Sequence, residues 1–430
     1  MSVRLFIAVL FLTTIATASV CDAVESQDPI PPGTVITPQN WQNYKQYMTE
    51  GMQALFAGRY FWKLPPDARM EVGEPKRHPL PQIFLDHTKK YSQLVQIREL
   101  PDGGHTVTGY VAGQPFPDPA EPMKGYKILA DLWYRYSPYL ACGDDAHQYV
   151  QDGSGSISRS HNIEVDRRLS YVSDPGQPID DQRSAIYRSE YSMTLEPEQQ
   201  KYTTVLTLYP RDPSKLEDEY VFLPQLRRVL RQSANARCSP VGGGDFAVDD
   251  FEGFNGGIAR FQADYLRDQQ ILTVVDSDPG AYGNLSNYYS MFFPKPEVGK
   301  WQVRDTYVID VRRIPSQQKG YCYGKQILYV DKNSDEVLWK DGFDLDMKFV
   351  KIGMSSKIAT PVPQEGLQLG TGNEIEVMWD VQKNHASLYL TAGPTGVGLV
   401  ANDQCRNLNG VDYNDLKRYS TPAGLTEVMR

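Results

Sequence analysis

The stretch Lys325–Asp344, KQILYVDKNSDEVLWKDGFD, holds two apolar runs on either side of the turn-forming segment Asp331–Asp335. Such runs of β-branched and aromatic residues about an Asp/Asn/Ser turn predict a β-hairpin. The segment 373–392, NEIEVMWDVQKNHASLYLTA, repeats the plan. In DTYVIDVRRI (305–314), Tyr307, Ile309 and Val311 alternate with Val308, Asp310 and Arg312, which predicts one dry and one wet strand face. RSEYSMTLEPEQQKYTTVLTLYP (188–210) reads as two strands about a tight connection. In the second of these, Val205, Thr207 and Tyr209 point one way and Leu206 and Leu208 the other, apolar enough for both faces to be covered. SQLVQIRE (92–99) and HTVTGYVAG (105–113) flank the turn LPDGG, a further hairpin. Consecutive hairpins imply an antiparallel meander rather than βαβ crossovers. The 27 tyrosines suit half-buried strands.

Helices are few. PQNWQNYKQYMTEGMQALFAG (38–58) sets Trp41, Tyr44, Met48, Met52 and Leu55 on one helical stripe, with Gly58 as a stop. That stripe reads first as core packing and second as a lid over an apolar cavity, where methionines suit varied ligands. KGYKILADLWYRYSPYL (124–140) predicts a second helix ending near Pro138, after the proline-rich loop 113–122. The fold class is α+β: a large antiparallel sheet with helices packed on it, forming one domain over residues 24–430.

Residues 1–23 have the layout of a secretory leader: Arg4, an apolar run from Leu5 to Leu12, then small residues. Cleavage is expected after Ala18 or Ala23, with lipid attachment at Cys21 as a weaker alternative. Export makes the remaining four cysteines, Cys142, Cys238, Cys322 and Cys405, two disulfides with three pairings open. We expect Cys142 with Cys238 and Cys322 with Cys405. A net charge of −9 argues against nucleic acid and against electrostatic attraction to anionic lipid.

VGGGDFAVDDFEGF (241–254) combines three glycines with Asp245, Asp249, Asp250 and Glu252. It lacks the GK[ST] of a phosphate loop and the alternating acids of a calcium loop, so it reads as a connection whose acids cap the next turn. None of the six histidines forms a HExxH or other close pair, and no GxSxG elbow occurs. No metal, cofactor or catalytic residue is therefore expected. In LPQLRRVLRQ (223–232), Arg227, Val229 and Arg231 would share a strand face, either solvated or a docking patch for an acidic partner or lipid headgroup.

Several motifs recur in a fixed order: ITPQNWQNY, HTKKYSQLV, YVAGQPFP, KGYKILADLWYRY, YVFLPQLRRVLR, GGDFAVDDFEGF, YCYGKQILYVDKNSDEVLWKDGFD and WDVQKNHASLYL. In these the chain resembles the bacterial family called domain of unknown function 1329, related to the LolA/LolB-like lipoprotein-sorting superfamily. The resemblance implies a strongly curved antiparallel sheet, a half-barrel round a hydrophobic cavity plugged by helices. It also implies export to the periplasm, in the company of an inner-membrane transporter and an outer-membrane protein. It places the 241–254 loop in the structural framework and supplies no catalytic residue. The four cysteines depart from the family pattern, and residues 142–174 match it only loosely. The leading expectation is a periplasmic carrier or chaperone, outer-membrane-associated if Cys21 is lipidated, for a lipid or lipoprotein acyl chain. An exported hydrolase and a scaffold in a transport complex are the alternatives. At about 0.8 kcal/mol per buried CH₂, a long acyl chain needs of order 10 kcal/mol of shelter, hence a deep apolar cavity.

Overall fold

The computed structural model describes residues 30–180, 185–232, 237–275, 277–370, 372 and 374–429. The leader and Cys21 lie outside the described residues.

Fourteen strands form one large sheet, beside three small two-stranded ones. In chain order they are β1 Leu140–Gln151, β2 Ile157–Arg168, β3 Ile186–Glu196, β4 Thr204–Pro210, β5 Asp218–Leu223, β6 Arg228–Arg231, β7 Phe261–Val274, β8 Trp301–Arg313, β9 Lys325–Asp331, β10 Val337–Phe343, β11 Phe349–Lys357, β12 Glu374–Asp380, β13 His385–Leu390 and β14 Val400–Ala401. The spatial order is β6-β5-β4-β3-β2-β1-β13-β12-β11-β10-β9-β8-β7, with β14 also on β1, and every pairing is antiparallel. The predicted meander is thus two meanders. The chain starts in the middle at β1, runs out to the edge at β6, and reappears at the opposite edge as β7. It then returns strand by strand until β13 pairs with β1. Gln96–Glu99 and His105–Thr108 form the small separate hairpin.

One face of the sheet is packed by the N-terminal segment. The predicted stripe is not one helix: a 3₁₀ turn, Trp41–Tyr47, is separated by extended Met48 from α1, Glu50–Phe56. Thr49 causes the break, because its hydroxyl caps α1 by accepting the Met52 amide at 3.1 Å, and a cap residue has extended backbone. Met48, Met52 and Leu55 are fully buried against Ile352, Ile375, Leu388, Trp339 and Trp379. Gly51 lets α1 approach closely, since a Cβ there would stand 2.4 Å from Asp341 Oδ1, which accepts the Gly51 amide. A ladder of indoles, Trp301, Trp339, Trp379 and Trp62, stacks across this face at 6.1–6.4 Å between neighbouring rings. Only a crevice of about 10 Å³ remains beside Leu55, Trp62 and Trp379. On β8 both faces are covered, because Val308 packs here while Ile309 and Val311 join the cluster on the opposite face; the expected wet face is dry at Val308.

The opposite face carries α2, Lys124–Trp133, and the crossing segment 237–260 that leads from edge to edge. The 241–254 loop lies in this strap, and its acids do more than cap a turn. Asp249 pairs with Arg237 and accepts Tyr321 Oη at 2.9 Å. Asp250 accepts Lys340 Nζ at 2.5 Å, Tyr323 Oη at 2.8 Å and the Ala247 amide at 2.8 Å. Glu252 pairs with Arg135, and the Gly253 amide donates to Glu376 at 2.8 Å. Gly253 has φ +75° and its Cβ would strike Val337, so only glycine fits. A strap over a sheet face has no ladder for its backbone, so buried ions fix its place instead.

The disulfides correct our expected pairing: they are Cys142–Cys405 and Cys238–Cys322. Because β14 pairs with β1, Val400 stands opposite Cys142 and carries Cys405 to it across 263 residues of sequence. Cys238 begins the strap and is held to the loop before β9.

Two outcomes follow from this architecture. Non-reducing peptide mapping should recover Cys142–Cys405 and Cys238–Cys322, and recovery of Cys142–Cys238 would refute the strand order around β1. Lys340→Met should cost about 3–5 kcal/mol in urea unfolding by leaving buried Asp250 only the more distant Lys351, 3.7 Å away, with Lys340→Met/Asp250→Asn regaining most of it.

Candidate functional site

Between the strap and β2–β5 a hollow of about 330 Å³ opens. Its origin is local sequence. On this face β2 presents Ser160, Asn162, Glu164 and Asp166, β3 presents Glu190, Ser192 and Thr194, and β4 presents Val205 and Thr207. Short polar side chains on three adjacent strands cannot fill the gap. The opposite face of the same strands carries Ile163, Val165, Met193, Leu206 and Leu208, packed beneath the C-terminal residues Tyr413, Tyr419 and Leu425. The roof is apolar: Val241, Val248 and Phe251 from the strap, with Leu399, and Tyr389 from β13.

The hollow is amphipathic, not the deep apolar cavity expected. Its floor bears Glu164, Asp166, Glu190 and Glu219, and Glu252 and Glu374 stand at one side. Burial pushes the Glu164 carboxyl up to about 8 against the 2.8 Å hydrogen bond from Ser192 Oγ. Burial, then the charges of Glu190, Glu252 and Glu164, raise Asp166 well above the usual range. Burial raises Glu219 as well, and moves Glu374 to about 6 against the pull of Lys357. Burial opposes ionisation of Glu252 too, yet Arg135, Arg188 and Lys357 together hold it low. Glu164 therefore keeps its proton near neutrality and can donate a hydrogen bond, whereas Glu252 stays ionised.

The residues singled out in the sequence lie elsewhere. Trp41, Tyr44, Met48, Met52 and Leu55 sit on the other sheet face and roof no cavity of ligand size. Arg227 is not on a strand; it occupies the β5–β6 turn at φ +50°. Arg231, on the edge strand β6, is paired with Asp218. They do not share a face as expected, because the turn ends before Arg228. Two serine–histidine groupings bear on the hydrolase reading. Asp245 accepts from both Ser387 Oγ at 2.8 Å and His385 Nδ1 at 2.7 Å, so the acid and not the imidazole bridges, and Ser387 is fully buried. Ser173 Oγ lies 2.9 Å from His87 Nδ1, but Ser173 is buried and no carboxylate hydrogen bond to His87 is found among the described residues. Neither has the nucleophile–base–acid order that activates a serine. Hydrophobic alternation along these strands does not reveal the hollow. The signal was side-chain size: Ser, Asn, Ser, Thr and Thr at every second position of three consecutive strands.

The raised Glu164 gives a pH test. The folded state keeps its proton up to about 8, whereas an unfolded glutamate loses it near 4.5. Its contribution is present below pH 4.5 and is lost as pH rises through 8. Glu164→Gln should therefore show a smaller fall in urea midpoint between pH 5 and pH 8 than the wild type.

The chain has no match among functionally curated proteins. Among solved structures it is similar to a domain provisionally described as outer membrane lipoprotein-sorting from Vibrio parahaemolyticus, at 14% identity and TM-score 0.45, covering 68% of this chain and 96% of that one. It is similar to a DUF1329 family protein from Desulfovibrio piger at 13% identity and TM-score 0.43, covering 63% and 91%. It is also similar to the LolA superfamily protein NE2245 from Nitrosomonas europaea at 12% identity and TM-score 0.34, covering 63% and 89%. The profile of "Protein of unknown function (DUF1329)" matches residues 35–406, and the chain belongs to that family.

Proposed function

We propose that the protein is an exported, periplasmic carrier, without catalytic activity, that holds one amphipathic molecule in the hollow. The observation behind this reading is the asymmetry of that space, with Val248, Phe251 and Leu399 above and hydrogen-bonding carboxyls below. An apolar body fits against the roof and a polar head against the floor. At about 330 Å³ the space lies at the small end of the roughly 300–1,000 Å³ of ligand pockets. A fully apolar long acyl chain is the wrong cargo: its methylenes gain only where they meet apolar walls, and six carboxyl side chains line this space. The carrier role implied by the family resemblance is kept and its cargo changed. Two disulfides fit an oxidising compartment.

A scaffold role finds one specific support. Edge strand β6 is short, with Leu226 and Leu230 exposed beside Arg227 and Arg231, a surface on which a partner's acidic strand or headgroup would dock. The transporter and outer-membrane protein implied by the resemblance would be the partners.

Native mass spectrometry of protein taken gently from its host should show a bound small molecule. Val205→Trp, which fills the hollow from β4, should lower that occupancy at least about tenfold while leaving the unfolding midpoint in place. Occupancy unchanged by Val205→Trp would refute the site.

A further inference from the structure

The histidines show no metal spacing along the chain, yet the fold brings two of them to one carboxylate on the sheet face away from the hollow. His147 of β1 stands opposite His161 of β2 in the strand register. Their rings lie face to face, centroids 4.5 Å apart and 8° from parallel. Both present Nε2 to Asp145 Oδ1, at 3.1 Å from His147 and 4.0 Å from His161. An irregularity in β1 between Gly143 and Ala146 turns Asp145 toward the two rings.

We propose that Asp145, His147 and His161 form a binding site for a divalent transition-metal ion. The three donor atoms lie within 4.8 Å of one another. A tetrahedral ion with bonds of about 2.0–2.1 Å sets its ligands roughly 3.4 Å apart, so small rotamer shifts close the site. Two imidazole nitrogens and one carboxylate oxygen select zinc, cobalt, nickel or copper over magnesium or calcium. The carboxylate is already oriented. Its Oδ2 accepts the Gly393 amide at 3.1 Å, the Thr395 amide at 3.2 Å and the Thr395 hydroxyl, which leaves Oδ1 for the ion. Gly393 packs so close to the His147 ring that a Cβ would stand 2.0 Å from Cδ2, which limits ring movement. His161, 22% exposed, provides the way in, and the neighbouring Asp144 carbonyl, 2.6 Å from His161 Nε2, is a further oxygen donor at the rim. His147 Nδ1 has no hydrogen-bond partner, so that ligand lacks outer support and micromolar rather than tighter affinity is expected. The four disulfide-bonded cysteines leave no thiol among them to compete.

The test uses tag-free, chelator-treated mature protein in non-reducing buffer, titrated with Co²⁺ by visible absorption and with Zn²⁺ by calorimetry. One equivalent should bind and give the intense d–d bands of a four-coordinate Co²⁺ site. His161→Ala and, as a milder change, His161→Gln should each weaken binding at least about tenfold with near-ultraviolet circular dichroism intact, and Thr395→Val should weaken it less. Absence of one-equivalent binding by folded wild-type protein, or equal affinity in both folded His161 variants, would overturn the assignment.

Discussion

A chain that builds half a sheet outward from its middle strand, and the other half inward from the far edge, must carry a connection across the whole sheet. That crossing is the constraint on which the rest of the structure depends. The strap joins no strand of the sheet and has only the short 3₁₀ turns Val241–Gly243, Val248–Gly253 and Ile258–Arg260, so its position rests on buried charge: Asp249 with Arg237, Asp250 with Lys340, and Glu252 with Arg135. Ion pairs of this kind add little net stability against apolar replacements, but the loss of one partner is severe. They specify where the strap lies. Asp250 and Gly253 fasten it over β10 and β12, and Asn255 fastens it to Glu190 of β3 and Tyr209 of β4. The hollow remains beside these anchors, over β2–β5.

The two faces of the sheet thus have different tasks. The N-terminal face is a solid core, with its indole ladder and α1 drawn in at Gly51. The strap face trades packing for polar space, and a buried carboxyl such as Glu164 is tolerated there because its proton stays on. A molecule that supplies hydrogen bonds or charge to that floor is held by more than area, which is how a small hollow discriminates among amphipathic cargoes.

Much of this was legible in the residues. The hairpins at 325–344 and 373–392 and the hairpin about Leu100 are where turn chemistry placed them, because each is a local contact between neighbouring runs. The helix expected from Lys124 toward Pro138 forms but ends at Trp133. What failed were the long-range facts. The disulfide partners could not be read, since Cys142 meets Cys405 only through the pairing of β14 with β1. The 38–58 stripe kept its burial but lost its continuity to Thr49, a cap in mid-pattern. Asp250 and Glu252 looked like loop residues because their cations, Lys340 on β10 and Arg135 just after α2, lie far away in sequence. His147 and His161 are likewise joined only by strand register.

The central claim is that the hollow between strap and sheet is a cargo site with an apolar roof and a carboxyl floor. A crystal structure of the protein isolated from its host without refolding tests it most directly. The account predicts continuous density for one molecule reaching from Phe251 to the Glu164 carboxyl. Phe251 collapsed onto β3 with the space closed, or a long acyl chain lodged instead among the tryptophans of the opposite face, would contradict it.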